Sequence, residues 1–418
     1  MSTLLKSATI IDSRSQFNNQ KKDILITNGV IEKIENSIPT KSEYTVVNLD
    51  NLHVSNGWFD TSVSFGEPGF EERETIANGL KTAALSGFTA VAVNSNTNPF
   101  IDNKSAVEFL INKSFGSATT LFPIASLTQK SEGKEMAELF DMKQSGAIAF
   151  GDYKKPLGND NLMKVALLYA QNFDGIVFSF PKNNSIAGEG LVNEGENSTK
   201  LGLKGIPALA EHLQIARDLF LLEYTGGKLH IPTISTEKSV ELIKEAKKKG
   251  LQVTCSVSVE HLTLTDDELH GFDSNVKINP PLRTAKDCKA LIKAVKSGVI
   301  DIITSDHNPI DIENKKVEFS AAKNGTIGLE SLFGALNNKI DFTTIIDSFT
   351  TKPREIFNLE ICTIEIGEKA DLTLFNPELS YSFSSKEIIS TSKNSAFLGK
   401  KLKGKAYGIY ANNQLVIN

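Results

Sequence analysis

The sequence predicts an α/β fold: a (β/α)8 TIM-like barrel over residues 54–356, with a small β domain built from both termini, residues 1–53 and 357–418. Three observations lead there. The first fifty residues read as short apolar runs joined by turns, the last fifty return to the same texture, and the long middle alternates short apolar runs with helix-like stretches.

At the N-terminus, Ser7–Ile11 and Asp23–Thr27 are β-rich runs, and Asn28-Gly29 separates the second from Val30–Ile34. Asn-Gly between two apolar runs is a hairpin signal, because both residues accept the positive φ of a tight turn. At the C-terminus, Ala370–Phe375 precedes an expected turn at Asn376-Pro377, and Ala406–Tyr410 and Gln414–Ile417 flank Asn412-Asn413 as a second hairpin. In the middle, Ala90–Val93, Gly175–Phe178 and Ile300–Ile303 read as buried strands, while Ser239–Lys247 has helical apolar spacing and stops at Gly250. A doubly wound open sheet is the alternative that periodicity leaves open. Neither a G-x-G-x-x-G after a strand nor a P-loop is present, so nothing points to nucleotide binding.

The 418 residues carry a net charge of −5 and are 40% hydrophobic, enough to bury a large core but without the basic excess that phosphate backbones require. Cys255, Cys288 and Cys362 form no C-x-x-C pair, so a disulfide framework or a cysteine zinc site is not expected. No charged-then-apolar leader or membrane-length apolar run is seen, and a cytoplasmic protein binding neither nucleic acid nor membrane is expected.

Motifs along nearly the whole chain carry a resemblance. Phe65-Gly66-Glu67-Pro68-Gly69 is followed by Glu71–Thr75, Gly87-Phe88-Thr89-Ala90 by Asn96–Pro99, and Glu189–Gly195 by Leu229-His230-Ile231. Lys277-Ile278-Asn279-Pro280-Pro281-Leu282-Arg283 is the most specific, and Ser305–Pro309, Gly328–Glu330 and Gly367–Leu372 complete the series. In this order they resemble dihydroorotase, a cyclic amidohydrolase family. The resemblance implies a metal-dependent barrel and the reversible cyclisation of N-carbamoyl-L-aspartate to dihydroorotate in de novo pyrimidine synthesis.

That reaction needs a nucleophilic water and a polarised carbonyl, and zinc supplies both by lowering the pKa of its water to about 7 and acting as a Lewis acid. By resemblance, two metal-binding histidines belong in the segment Asp60–Gly69, where the family reads D-P-H-V-H-F-R-E-P-G. Here Ser62 and Ser64 stand in their places, Phe180 in that of the third histidine and Thr233 in that of the fourth. A serine hydroxyl is uncharged and stays protonated at neutral pH, so it is a poor zinc ligand. No metal site and no cofactor are therefore expected. Asp152 and Asp306 are the remnants, although the neighbour of Asp152 in the bridging carboxylate run D-D-G has become Tyr153. The family's substrate-binding arginine is Gly66, and the histidine closing its D-H-x-P-H motif is Ile310.

What is left is thin. Asp306 is the catalytic carry-over: a lone carboxylate can act as a general acid or base, worth about 10²–10⁴-fold. The plainer expectation is that it caps the following turn or pairs with a lysine. Asn96 and Asn279 match substrate-binding asparagines, but asparagine also fixes turns. Of the six histidines, His53, His212, His261 and His270 read as surface or structural, whereas His230 and His307 match family positions that are not its principal ligands. A relocated zinc site from His230, His307, Asp152 and Asp306 is the weighed exception. The chain is similar to metal-deficient homologues that associate with aspartate transcarbamoylase. A non-catalytic, oligomeric structural or regulatory partner of that enzyme is the expectation. A hydrolase rebuilt around Asp306 and a non-catalytic small-molecule sensor are the alternatives.

Overall fold

The structure, a computed structural model, describes residues 2–337 and 339–418. Eight parallel strands form the barrel: Trp58–Val63, Phe88–Val93, Thr120–Ala125, Ala149–Phe150, Ile176–Phe178, Lys228–Ile231, Val253–Ser258 and Ile302–Thr304. A parallel bridge from Val63 to His307, with Ser64 N donating to His307 O at 2.7 Å, brings the first strand against the chain leaving the eighth. Inside, Phe59, Ala92, Ile124, Ala149, Phe178 and Ile302 fill the barrel floor, so it is a packed core and not a pore. Helices cover the outside, several opened by side-chain caps that accept from the first turn: Thr75, Asn103, Asn159, Thr236 and Thr284. The helix Glu237–Lys248 lies where its periodicity predicts, and Gly250 follows it at φ +84°.

The two ends of the chain form one sheet. In order across it lie Gln414–Ile417, Lys401–Ala411, Leu372–Ser382, His53–Asn56, Ser2–Ile11, Lys21–Thr27 and Val30–Glu35, with Tyr44–Val47 beside Ser2–Ile11. The antiparallel pairing of Leu372–Phe375 with His53–Asn56 is the join between termini. Both expected hairpin turns are present, with Asn28, Gly29, Asn412 and Asn413 all at positive φ.

The turn expected at Asn376-Pro377 lies inside a strand rather than after one. The strand runs on to Ser382 through an irregularity between Asn376 and Ser380. Asn376 Oδ1 accepts from Glu378 N at 2.9 Å, which closes a local turn, and proline without an N–H is tolerated at such a bulge. The seam between sheet and barrel is aromatic. Trp58, fully buried, lies 4.9–5.8 Å from the rings of Phe88, Phe333, Phe349 and Phe375. Among the described residues no helix is long and apolar enough to cross a membrane.

Candidate active site at the barrel mouth

The side chains that could do chemistry leave the C-terminal ends of the barrel strands, where this fold places its active sites. Ser62 is the penultimate residue of the first strand, Asn94 follows the second, Tyr153 and Lys154 follow the fourth, Glu260 follows the seventh, and Asp306 follows the eighth. Asp306 is their centre. Its Oδ1 accepts from the Tyr153 hydroxyl at 3.0 Å and the Ser62 hydroxyl at 3.2 Å, and its Oδ2 is 2.7 Å from Lys154 Nζ. Asn94 Nδ2 donates to Ser62 Oγ at 3.1 Å and so orients that hydroxyl. Beneath lies Asp60, which accepts from Thr304 Oγ1, from Ser62 N at 3.1 Å and from Ser305 N at 3.0 Å, tying the first strand to the eighth. Asp306, Lys154 and Thr233 sit at φ +44°, +54° and +56°, the left-handed region that costs a residue with a Cβ.

Burial dominates the electrostatics. It raises Asp60 to about 6, and it raises Glu260 to about 8, with the Asp306 charge adding to the shift. Glu260 Oε1 has no hydrogen-bond partner among the described residues. Burial also raises the Tyr153 hydroxyl, with Asp306 adding, so this group stays a donor. In the opposite sense it lowers His230 and His261 to about 3 and His307 to about 4, keeping all three neutral. For Glu260 the folded chain keeps a proton that the unfolded chain has released above about 4.5. Stability therefore falls as pH rises from about 4.5 to 8. Glu260→Gln removes that dependence: its melting temperature relative to wild type should improve between pH 5 and pH 8.5. An equal offset at both pH values contradicts this assignment.

The sequence-predicted residues divide. Ser62, Asp152, Phe180 and Thr233 line one pocket together with Thr61, Asn94, Tyr153, Lys154, Phe178 and Ser256, and the cavity they leave is only about 20 Å³, room for about one water. Ser64 lies beside it and donates to Asn96 Oδ1 at 2.8 Å, so that asparagine is occupied by a serine. Asn279 sits between the seventh strand and the helix Ala285–Lys296, directly before Pro280.

Asp152 lines the pocket, and its carboxylate accepts from Leu127 N, Thr128 N and Thr128 Oγ1 at 2.5–3.1 Å, which ties it to the loop after the third strand. The relocated histidine site is not assembled. His230 is held by Thr254 and Ser256 and stacks on Phe178 at 4.5 Å, while His307 Nδ1 accepts from Gly328 N and Leu329 N. Among the described residues no three His, Cys, Asp or Glu side chains converge as a metal site would require.

The whole chain has close relatives. A profile described as Dihydro-orotase-like matches residues 53–239. A dihydroorotase of Geotalea daltonii is 37% identical over 412 residues, covering 97% of each chain, and one of Ruminiclostridium cellulolyticum is 39% identical, covering 97% of this chain and 96% of its own. The chain belongs to the dihydroorotase family. The barrel is also similar to that of an L-hydantoinase (dihydropyrimidinase) from Arthrobacter aurescens, with a TM-score of 0.86 at 19% identity, covering 100% of this chain and 96% of that one.

Zinc, which the dihydroorotase resemblance implies, does not fit the donors found here. Both oxygens of Asp306 are bonded, one of them to an ammonium. Phe180 offers carbon, and Ser62, Ser64 and Thr233 offer neutral hydroxyls. The anion clamp has gone with its space. A Cβ on Gly66 would lie 1.8 Å from Phe70 O, because Gly66 O accepts from Phe70 N and Gly66 N donates to Glu74 O, both at 2.9 Å. Ile310 is buried and brings no polar side-chain atom.

Lys154, Glu260, Asn94 and Asp60 were not among the sequence candidates. The signal for Lys154 was present: a lysine two residues beyond Asp152, at the end of a barrel strand. Glu260 gave no local signal, since a lone glutamate opening a short helix reads as surface charge until burial is known.

Proposed function

We propose that this dihydroorotase-family chain takes part in de novo pyrimidine synthesis without catalysing cyclic-amide hydrolysis, as a structural or regulatory partner of aspartate transcarbamoylase. The carrying observation is the state of Asp306. The carboxylate best placed for catalysis is consumed by Lys154, Tyr153 and Ser62, and the pocket that these three partners line has room for about one water. No group at the mouth can generate hydroxide at neutral pH, and no fixed guanidinium holds a substrate carboxylate at position 66. The scaffold meanwhile keeps its full length and its packed floor. Site and scaffold are separable, so an assembly surface can persist while the pocket drifts.

One observation favours a second reading. Glu260 is buried with Oε1 lacking a hydrogen-bond partner among the described residues, and burial, with the Asp306 charge adding, raises it to about 8, as a general acid acting beside a carboxylate would require. On that reading the chain is a metal-free hydrolase. Turnover of dihydroorotate by the purified chain separates the two: none for the first, measurable and zinc-independent for the second.

A further inference from the structure

The contacts of Lys154 go beyond what family membership assigns. Its ammonium lies 2.7 Å from Asp306 Oδ2, its side chain is only 12% exposed, and that of Asp306 is 6% exposed. The same nitrogen lies 5.2 Å from the centre of the Tyr153 ring, whose hydroxyl bonds the other carboxylate oxygen. Its backbone adopts φ +54°, a conformation that glycine takes freely and lysine does not. A lysine here therefore carries a backbone cost that its side-chain contact offsets.

We infer that Lys154 is the resident cation of the barrel mouth: tethered to the fourth strand, it neutralises the buried Asp306 carboxylate and holds the position an external cation would otherwise need to take. The physical basis is asymmetry. Removing one member of a buried ion pair strands a charge, whereas removing both leaves two neutral groups. Lys154 is an ordering group rather than a reacting one, and its role does not depend on which protein the chain binds.

A double-mutant cycle on the full-length chain tests this. Lys154→Met should lower the melting temperature by about 5 °C, because an uncompensated buried carboxylate remains. Adding Asp306→Asn should restore at least half of that loss, so the double variant is more stable than Lys154→Met alone. Lys154→Gly separates the backbone contribution: relief of φ strain should make it less damaging than Lys154→Met. If Lys154→Met does not fold, a folded Lys154→Met/Asp306→Asn protein carries the same support. A Lys154→Met protein as stable as wild type, or a double variant no better than Lys154→Met, overturns the assignment.

Discussion

Purified chain is expected to hydrolyse dihydroorotate, and to cyclise N-carbamoyl-L-aspartate, no faster than buffer does, with or without added zinc. The expected deficit is large because several independent contributions are lost together. Activating water at neutral pH requires a Lewis acid or a base of suitable pKa, and a transition state with one carboxylate and a developing oxyanion requires fixed positive charge or donors. The ammonium at the mouth is already paired with Asp306. What remains is at most one carboxylate and one buried acid, a contribution of about 10²–10⁴-fold in good geometry against enhancements of about 10⁶-fold or more for enzymes generally. Product formation is read by chromatography over hours at micromolar chain. Zinc-independent turnover that falls on Glu260→Gln would establish the metal-free hydrolase reading instead.

Returning the clamp arginine should damage the protein rather than revive it. Gly66→Arg places a Cβ 1.8 Å from the Phe70 carbonyl oxygen, and this neighbour is backbone, held in a loop closed by Gly66–Phe70 and Gly66–Glu74 hydrogen bonds. The loop must open for any side chain to enter. Glu74 also accepts from Thr391 N at 2.9 Å, so the opening spreads to the C-terminal segment. The cost should be at least about 3 kcal/mol, lowering the melting temperature by at least roughly 3 °C, with no gain in binding of N-carbamoyl-L-aspartate by calorimetry. A variant with wild-type stability would mean that the loop is soft and the substrate subsite merely shaved.

Much of the fold was readable from the chain, because its signals are local. Asn28-Gly29 and Asn412-Asn413 must turn, and apolar runs such as Ala90–Val93 must be buried. Asn376-Pro377 signals a turn, and only the pairing partner Lys401–Ala411 shows that this turn is a bulge inside one strand. At the site, position 306 was readable as an aspartate that would cap the following turn or pair with a lysine, but neither the choice nor the lysine was. Lys154 and Asp306 are separated by 152 positions and meet only when the barrel closes. Asp152 was readable as a remnant by its position, but not the hydrogen bonds by which its carboxylate serves the adjacent loop at Leu127 and Thr128. The state of Glu260 depends on burial by several elements at once, which no window of sequence reports.

The most direct measurement is size-exclusion chromatography with mass detection on this chain mixed with aspartate transcarbamoylase from the same organism. The account predicts a joint peak of defined mass that survives Lys154→Met/Asp306→Asn, since association then depends on the scaffold and not on the mouth. Two separate peaks at micromolar concentrations would contradict it.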